Sequence, residues 1–145
     1  IAKEMKAYKL EVLGVSETHW TQSGETHIQS GETIIFSGHQ EENAVHSEGV
    51  GFFLSKAARH ALIEWEPVSP RIITAKFRTK VNRINLVMLQ CYAYAPTNEA
   101  EDEDKLAFYD QLYKQNYTRS RRGTCYWSWV TSTRRWEMTT PVTKQ

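Results

Sequence analysis

The sequence predicts an α/β fold in which most strands pair in antiparallel fashion. Short apolar runs recur over residues 9–92, and polar residues, glycine or proline bound each of them. Ser69-Pro70 joins two of these runs by a tight connection, which is typical of antiparallel neighbours. Residues 101–115 carry apolar side chains at helical spacing instead. Strands with few helices predict a layered α/β sandwich.

The first elements follow one another closely along the chain. Ile1, Met5 and Tyr8 fall on one helical face and indicate the end of a helix. A polar, glycine-containing stretch later on is predicted to be a loop because it has no apolar period. In order, we predict a helix end over residues 1–8, a strand over 9–17, a loop over 21–30 and a strand over 32–37.

The next elements include the most apolar strand. Gly49 and Gly51 lie at the start of a strand and indicate close backbone approach or a bulge. The run over residues 83–92 is continuously apolar, so we predict burial on both of its faces. The predicted strands are 49–54, 62–68, 71–78 and 83–92, and the helix over 101–115 has Leu106, Tyr109, Leu112 and Tyr113 as its buried stripe.

Polar side chains cluster where two of these strands end. Glu17, Thr18 and His19 follow the first apolar strand, and residues 94–98 follow the most apolar one. A carboxylate at such a strand mouth is suited to hold a hard cation such as Mg²⁺. A solvated glutamate at a surface strand end is the alternative that these residues alone leave open.

Composition bounds the class of protein. The chain has 145 residues, which suits one domain, and its net charge of +1 argues on average neither for nor against nucleic acid as a partner. Two cysteines do not make a disulfide framework and fit a reducing compartment. There is no signal peptide and no apolar run near the ~20 residues of a membrane span, so we expect an intracellular protein, nuclear or cytoplasmic, with no membrane partner. The start at Ile1 rather than Met predicts a fragment or an internal product.

Three motifs in order carry a family resemblance. Glu17-Thr18-His19 follows a buried strand, Gly49-Val50-Gly51 opens a strand and Tyr94-Ala95-Pro96 closes one. Together they resemble the endonuclease/exonuclease/phosphatase superfamily, whose deoxyribonuclease I-like fold is a four-layer α/β sandwich that cuts phosphodiesters with Mg²⁺. Residues 1 to about 114 are similar to the apurinic-type endonuclease domain of LINE-type non-LTR retrotransposons and to craniofacial-development-protein-like chains.

The resemblance implies roles for particular residues. Glu17 matches the Mg²⁺ ligand, and His19 has a supporting or DNA-facing role. Tyr94 matches the tyrosine that steadies the scissile phosphate, and Thr97 or Asn98 takes the place of a phosphate-contacting residue. Because Cys91-Tyr92-Ala93-Tyr94-Ala95-Pro96 has an extra Tyr-Ala pair, the choice between Tyr92 and Tyr94 stays open. The implied cofactor is Mg²⁺ and the implied partner is DNA, with no small-molecule cofactor.

Other parts of the family pattern are missing. The family has an asparagine on the first sandwich strand, a Gly-Asp-x-Asn motif after the helix and a late Asp-His pair. We therefore expect a partial sandwich that lacks its first strand and its C-terminal half. Residues 1–114 form the endonuclease-like part, and residues 115–145 are a basic, Trp-rich tail with no helical or strand period, which we expect to be disordered.

The tail also predicts a shifted reading frame. Trp has one codon, so a frame shifted by one nucleotide must read leucine across the boundary of the Tyr126 and Trp127 codons. In the same frame it must read glycine across the boundary of the Trp129 and Val130 codons. Continued over residues 125–133, this frame is compatible with Leu-Leu-Val-Met-Gly-Asp-Phe-Asn, an apolar strand followed by the missing motif. We hypothesise a frameshift near Lys114.

Two classes of function compete. The first is a Mg²⁺-dependent DNA endonuclease fragment, inactive because several catalytic groups are missing. The alternative is a non-catalytic nucleic-acid-binding fragment that uses the arginines and tryptophans of residues 115–145, or a pseudogene product without selected function.

Overall fold

A computed structural model describes residues 1–40, 48–81, 83–92, 102–119, 124–132 and 135–139, with side chains up to residue 115 apart from residue 104. Three helices and nine strands are present in these ranges. In chain order they are α1 Ala2–Ala7, β1 Val12–Ser16, β2 Gly24–His27, β3 Thr33–Ser37, β4 Val50–Leu54, α2 Lys56–Ala61, β5 Leu62–Ser69, β6 Ile72–Arg78, β7 Asn85–Tyr92, α3 Asp102–Arg119, β8 Thr124–Ser132 and β9 Arg135–Thr139.

The strands form two sheets. The first has the order β1-β4-β3-β2 and is antiparallel throughout. The second has the order β5-β6-β7-β8-β9, in which only β7 and β8 run parallel. That pair is joined through α3, as a parallel connection requires a long crossover. The predicted α/β fold with mostly antiparallel pairing is confirmed.

The two sheets face each other across a central core. Alternate residues of β4 and β6 fill it, because successive side chains of a strand point to opposite faces. Phe52, Leu54, Ile73 and Phe77 all lie in this core and are at most 4% exposed. A polar contact also crosses the interface, where the Ser37 hydroxyl donates to the Ser69 carbonyl at 2.7 Å.

A helix covers the outer face of each sheet. Met5 of α1 packs with Ile34 and Phe53 on the first sheet. Phe108 of α3 packs with Ile72 and Leu89 on the second. The order of layers is therefore helix, sheet, sheet, helix, which agrees with a four-layer sandwich.

The predicted buried stripe of the last helix is mostly wrong. Leu106, Tyr109 and Tyr113 are 69%, 61% and 66% exposed. The buried face instead carries Phe108 and Leu112. Both sets have helical spacing and differ by a rotation of about one residue, so periodicity could not choose between them.

Several elements lie where none was predicted. β2 occupies part of the predicted loop over residues 21–30, because its hairpin partner β3 supplies the backbone bonds for a polar segment. In residues 115–145, expected to lack regular structure, α3 continues to Arg119 and β8 and β9 follow. The strands β8 and β9 form because Thr, Tyr, Trp and Val favour extended backbone and because the edge of β7 offers backbone hydrogen-bonding groups.

None of the helices in the described ranges is both long and apolar enough to cross a membrane.

Cys91 provides a probe of the packed core. Its side chain is fully buried between β7 and α3, and burial raises the pKa of its thiol from 9.0 to about 12, against a smaller opposing effect of Arg71. The thiolate is the reactive form, so in a Cys125→Ser background we expect Cys91 to react with a thiol reagent at pH 8 at least tenfold more slowly than in denaturant. Rapid reaction of the native protein would contradict this packing.

The raised pKa of Cys91 also predicts how the free energy of unfolding depends on pH. The folded state keeps the proton of Cys91 between pH 9 and about 12, whereas the unfolded state releases it. The free energy of unfolding should therefore be unaffected by this group below pH 9 and should decrease as the pH rises above it. A Cys91→Ala variant should lack this alkaline component in unfolding measurements.

Candidate active-site mouth

The first part of the mouth is the turn that ends β1. Glu17 and His19 both have left-handed backbone, with φ of 54° and 55°. Such angles cost free energy in residues other than glycine, and the surrounding bonds must maintain them. The Thr18 and His19 amides donate to the Gly49 and Glu48 carbonyls at 3.3 and 3.0 Å. This turn is thereby fixed against the residues that precede β4.

Gly49 allows that close approach. Its φ is +99°, and a Cβ there would lie 2.4 Å from the Thr18 hydroxyl oxygen. Its amide donates to the Pro70 carbonyl at 3.1 Å, which ties the turn to the second sheet. The sequence prediction of close backbone approach at this glycine is confirmed.

The second part of the mouth is the end of β7. The Tyr92 hydroxyl donates to Oε1 of Glu17 at 2.6 Å. The tyrosine side chain is 6% exposed and packs in the central core, whereas Glu17 is exposed. The Tyr92 amide donates to the Arg71 carbonyl at 2.9 Å, which fixes the end of the strand. One end of each sheet thus contributes a polar group to the same place.

The structure describes only some of the predicted site residues. Glu17 and His19 lie in the β1 turn, where both side chains are exposed. Tyr94, Thr97 and Asn98 lie outside the described residues. Tyr92, one of the two tyrosines that the sequence left open, contacts Glu17. The roles assigned to all these residues stay predictions.

Sequence reasoning missed Gln90. It lies two residues before Tyr92 on β7, so it points to the same face of the sheet. Its side chain is 1% exposed and lies against Gly14 of β1, where a Cβ would be 2.2 Å from its Oε1. Two features of the sequence could have indicated Gln90: it is a polar residue in an otherwise apolar run, and it lies two residues before Tyr92.

A second missed group surrounds Glu48. Arg71 holds its carboxylate with Nε at 2.7 Å and Nη2 at 2.6 Å from Oε1. His39 Nε2 lies 3.4 Å from Oε2, and the Arg71 guanidinium lies over the Phe108 ring at 5.7 Å from its centroid. Because Glu48 is engaged by Arg71, it is a structural carboxylate that joins the mouth to α3.

The described residues do not make a complete metal site. Among them, no group of three His, Cys, Asp or Glu side chains could hold an ion. Within the described ranges, Glu17 presents an exposed carboxylate at the mouth, and its Oε1 accepts from the Tyr92 hydroxyl. Mg²⁺ can bind through one carboxylate only when waters or substrate phosphates supply the remaining ligands.

Comparisons with known proteins give two curated relatives in sequence and a similarity of fold to a solved structure. No family model matches the chain. It is 31% identical over 112 residues to craniofacial development protein 2 of Bos taurus and 30% identical over 112 residues to that of Tragulus javanicus, covering 77% of this chain in each case. The chain spans only 18% of the length of these relatives.

A solved structure gives the corresponding similarity of fold. The endonuclease domain of TRAS1, a telomere-specific non-LTR retrotransposon, matches with a TM-score of 0.53 and 12% identity. The match covers 88% of this chain and 49% of that domain. At this identity the match demonstrates a common fold.

Proposed function

Because the chain is related to the endonuclease/exonuclease/phosphatase superfamily in sequence and fold, we propose that it is a nuclease-like fragment with an incomplete phosphodiesterase site. The observation that carries this proposal is the Tyr92–Glu17 hydrogen bond, which joins the ends of β7 and β1 at one mouth. In this proposal Glu17 is the metal ligand, and the tyrosine orients its carboxylate. DNA is the proposed substrate class.

The same geometry supports a lack of activity. Cleavage of a phosphodiester needs a positioned nucleophile, stabilisation of charge on the phosphate and a firmly held metal acting together. Glu17 with Tyr92 supplies an orienting pair and none of the charged groups that would hold the phosphate. Loss of groups that act as a unit typically reduces the rate by several orders of magnitude. We therefore propose that metal binding persists weakly without turnover.

Nicking of supercoiled plasmid tests the catalytic part. With Mg²⁺ present we expect no nicked circles above the buffer control, because a single carboxylate does not complete the site. Glu17→Gln serves as the matched variant, since it keeps the size of the side chain and removes its charge. Nicking by the parent chain that Glu17→Gln abolishes would contradict the proposed inactivity and establish catalysis at this mouth.

Metal titration followed by NMR tests the binding part. We expect Mg²⁺ to shift the resonances of residues 16–19 with a Kd of roughly millimolar, as for sites with few charged ligands. Glu17→Gln should abolish the shifts, and Tyr92→Phe should weaken them by leaving the carboxylate unoriented. Equal shifts in the parent and Glu17→Gln would exclude Glu17 as the ligand.

We further propose that the reading frame changes near Lys114. The register of β8 on β7 supports this, since Val130 and Thr131 lie opposite Cys91 and Tyr92. In the shifted frame the codons of this pair can give the aspartate of Gly-Asp-Phe-Asn, among Asp, Asn, His and Tyr, and that carboxylate would then stand beside the mouth. The coding DNA decides: a one-base change near the Lys114 codon must restore this motif, or the hypothesis fails.

A further inference from the structure

The sandwich has a second end, opposite the mouth. The Tyr92–Glu17 hydrogen bond joins the end of β7 to the turn after β1, so these two strands run in the same direction. Their first residues, Val12 and Asn85, therefore lie at the other end of the sandwich. β6 finishes at that end as well, because Arg78 pairs with Asn85.

Three connections between elements meet at this second end. α2 spans it, because the helix leads from Leu54 of the first sheet to Leu62, which pairs with Phe77 of the second sheet. The connection from α1 to β1 lies beside α2, where the Ser55 amide donates to the Glu11 carbonyl at 2.9 Å. The hairpin between β6 and β7 is the third. Side chains from both sheets are thereby brought to one surface.

Cations predominate on these three connections. The carboxylates of Glu25, Glu32 and Glu64 nearby are already engaged by other cations, and Glu11 adds one exposed carboxylate. Five further exposed cations have no ion pair within the described ranges, so the surface has a positive net charge. They are Lys9, Lys56, Arg78, Lys80 and Arg83, which together we call the basic pole.

Two of these cations have an unfavourable backbone conformation. Lys9 and Arg83 have φ of 56° and 65°, in the left-handed region that glycine and asparagine adopt at lower cost. The hairpin is fixed next to Arg83, since the Thr79 hydroxyl donates to the Ile84 carbonyl at 2.6 Å. Within the described ranges, no side-chain hydrogen bond or ion pair of Lys9 or Arg83 offsets this cost. Their charges are therefore available to a ligand.

The mouth has the opposite electrostatic character. Glu17 is exposed there, and Glu48 joins the mouth to α3, whose first turn carries the exposed Asp102 and Glu103. Like charges repel, and such fields act beyond direct contact. A polyanion without bound cations is consequently repelled by the mouth and attracted by the basic pole.

We propose that the basic pole binds the sugar-phosphate backbone of a nucleic-acid strand, separately from the mouth. Arginine can hold a phosphate through two parallel hydrogen bonds, and lysine attracts it as a point charge. Tyr8, next to Lys9 in the chain, is 75% exposed and offers a ring on which a base can stack. A strand held here is not presented to Glu17. This inference uses no group of the mouth and does not rest on the proposed function.

Fluorescence anisotropy with a labelled oligothymidylate of about 20 nucleotides tests the proposal in EDTA, between about 50 and 200 mM salt. We expect binding that weakens linearly on a plot of log K against log salt. Lys80→Gln combined with Arg83→Gln should weaken binding at least tenfold at about 50 mM salt. It should also reduce the slope by about 1.4, since each neutralised phosphate of a single strand contributes roughly 0.7.

Lys3→Gln combined with Lys105→Gln is the matched control, because it removes the same charge outside the basic pole and should change the affinity less than twofold. Glu17→Gln should bind the strand at least as tightly as the parent. NMR of the parent chain should show shifts on binding at residues 56–60 and 78–83 and none at residues 16–19. That map decides even where a variant fails to fold.

Five results would each overturn the proposal. They are no binding at about 50 mM salt, an equal loss in the two double variants, loss of binding in Glu17→Gln, NMR shifts confined to residues 16–19 or to residues 116–145, and equal affinity for polyglutamate of the same length. The last result would mean that the basic pole attracts any polyanion and does not recognise a nucleic-acid backbone.

Discussion

Phe52→Ala should lower the free energy of unfolding by about 3–5 kcal/mol. The ring is fully buried in the core between the two sheets, together with Ile35, Ile73 and Phe77. Its removal loses apolar burial and leaves a cavity that rigid strands on both sides cannot close. Since small domains have about 5–15 kcal/mol of total stability, the variant should be close to unfolding at room temperature.

Urea unfolding measures this loss, with the reactivity of the Cys91 thiol as a second probe in the Cys125→Ser background. Phe52→Leu is the conservative control and should retain most of the stability, because it fills much of the same space. Val81→Ala should cost less than about 0.5 kcal/mol, since Val81 is 58% exposed. A loss below 1 kcal/mol for Phe52→Ala would mean that the two sheets do not pack as described.

Gly49→Ala should cost roughly 2–4 kcal/mol, because two separate penalties add. Its φ of +99° is unfavourable for any residue with a side chain, and the new Cβ would lie 2.4 Å from the Thr18 hydroxyl oxygen. The affected turn holds Glu17, so the Mg²⁺-dependent shifts expected at residues 16–19 should weaken as well. Thermal unfolding and the metal titration give the two measurements.

A double-mutant cycle separates the penalties. Thr18→Ala removes the hydroxyl that the new methyl group would meet, so Gly49→Ala should cost only about 1–2 kcal/mol in that background. The remaining cost is that of the backbone angle. If Gly49→Ala costs the same with and without Thr18, the turn does not pack against this glycine.

Local patterns predicted much of the architecture. The apolar runs that became β3, β4, β6 and β7 were found with small errors at their ends, because each carries its own hydrophobic period and punctuation. β2 was missed since its sequence is polar and its stability comes from pairing with β3. α2 was not predicted, because it is a short helix without a strong apolar stripe. Its N-cap is Ser55, whose hydroxyl accepts a hydrogen bond from the Ala58 amide at 3.1 Å.

The candidate site was predictable only in part. A carboxylate after an apolar strand made Glu17 a candidate, and the family resemblance implied a tyrosine near the end of the most apolar strand without choosing between Tyr92 and Tyr94; the roles of these residues stay predictions. That choice depends on which residue of β7 faces β1, which is set by the packing of the sheets. The placement of Gln90 and of the Glu48–Arg71 pair depends on contacts between distant segments, so no local spacing in the sequence predicts it.

The contact between Tyr92 and Glu17 joins residues 75 positions apart in the chain. Contacts of such long separation form late, because the entropy of closing the intervening loop is lost before they contribute. The mouth can therefore exist only after both sheets have formed and docked. During synthesis, Glu17 leaves the ribosome long before Tyr92, so the hydrogen-bonded pair is absent from the nascent chain and its presence reports completed folding of both sheets.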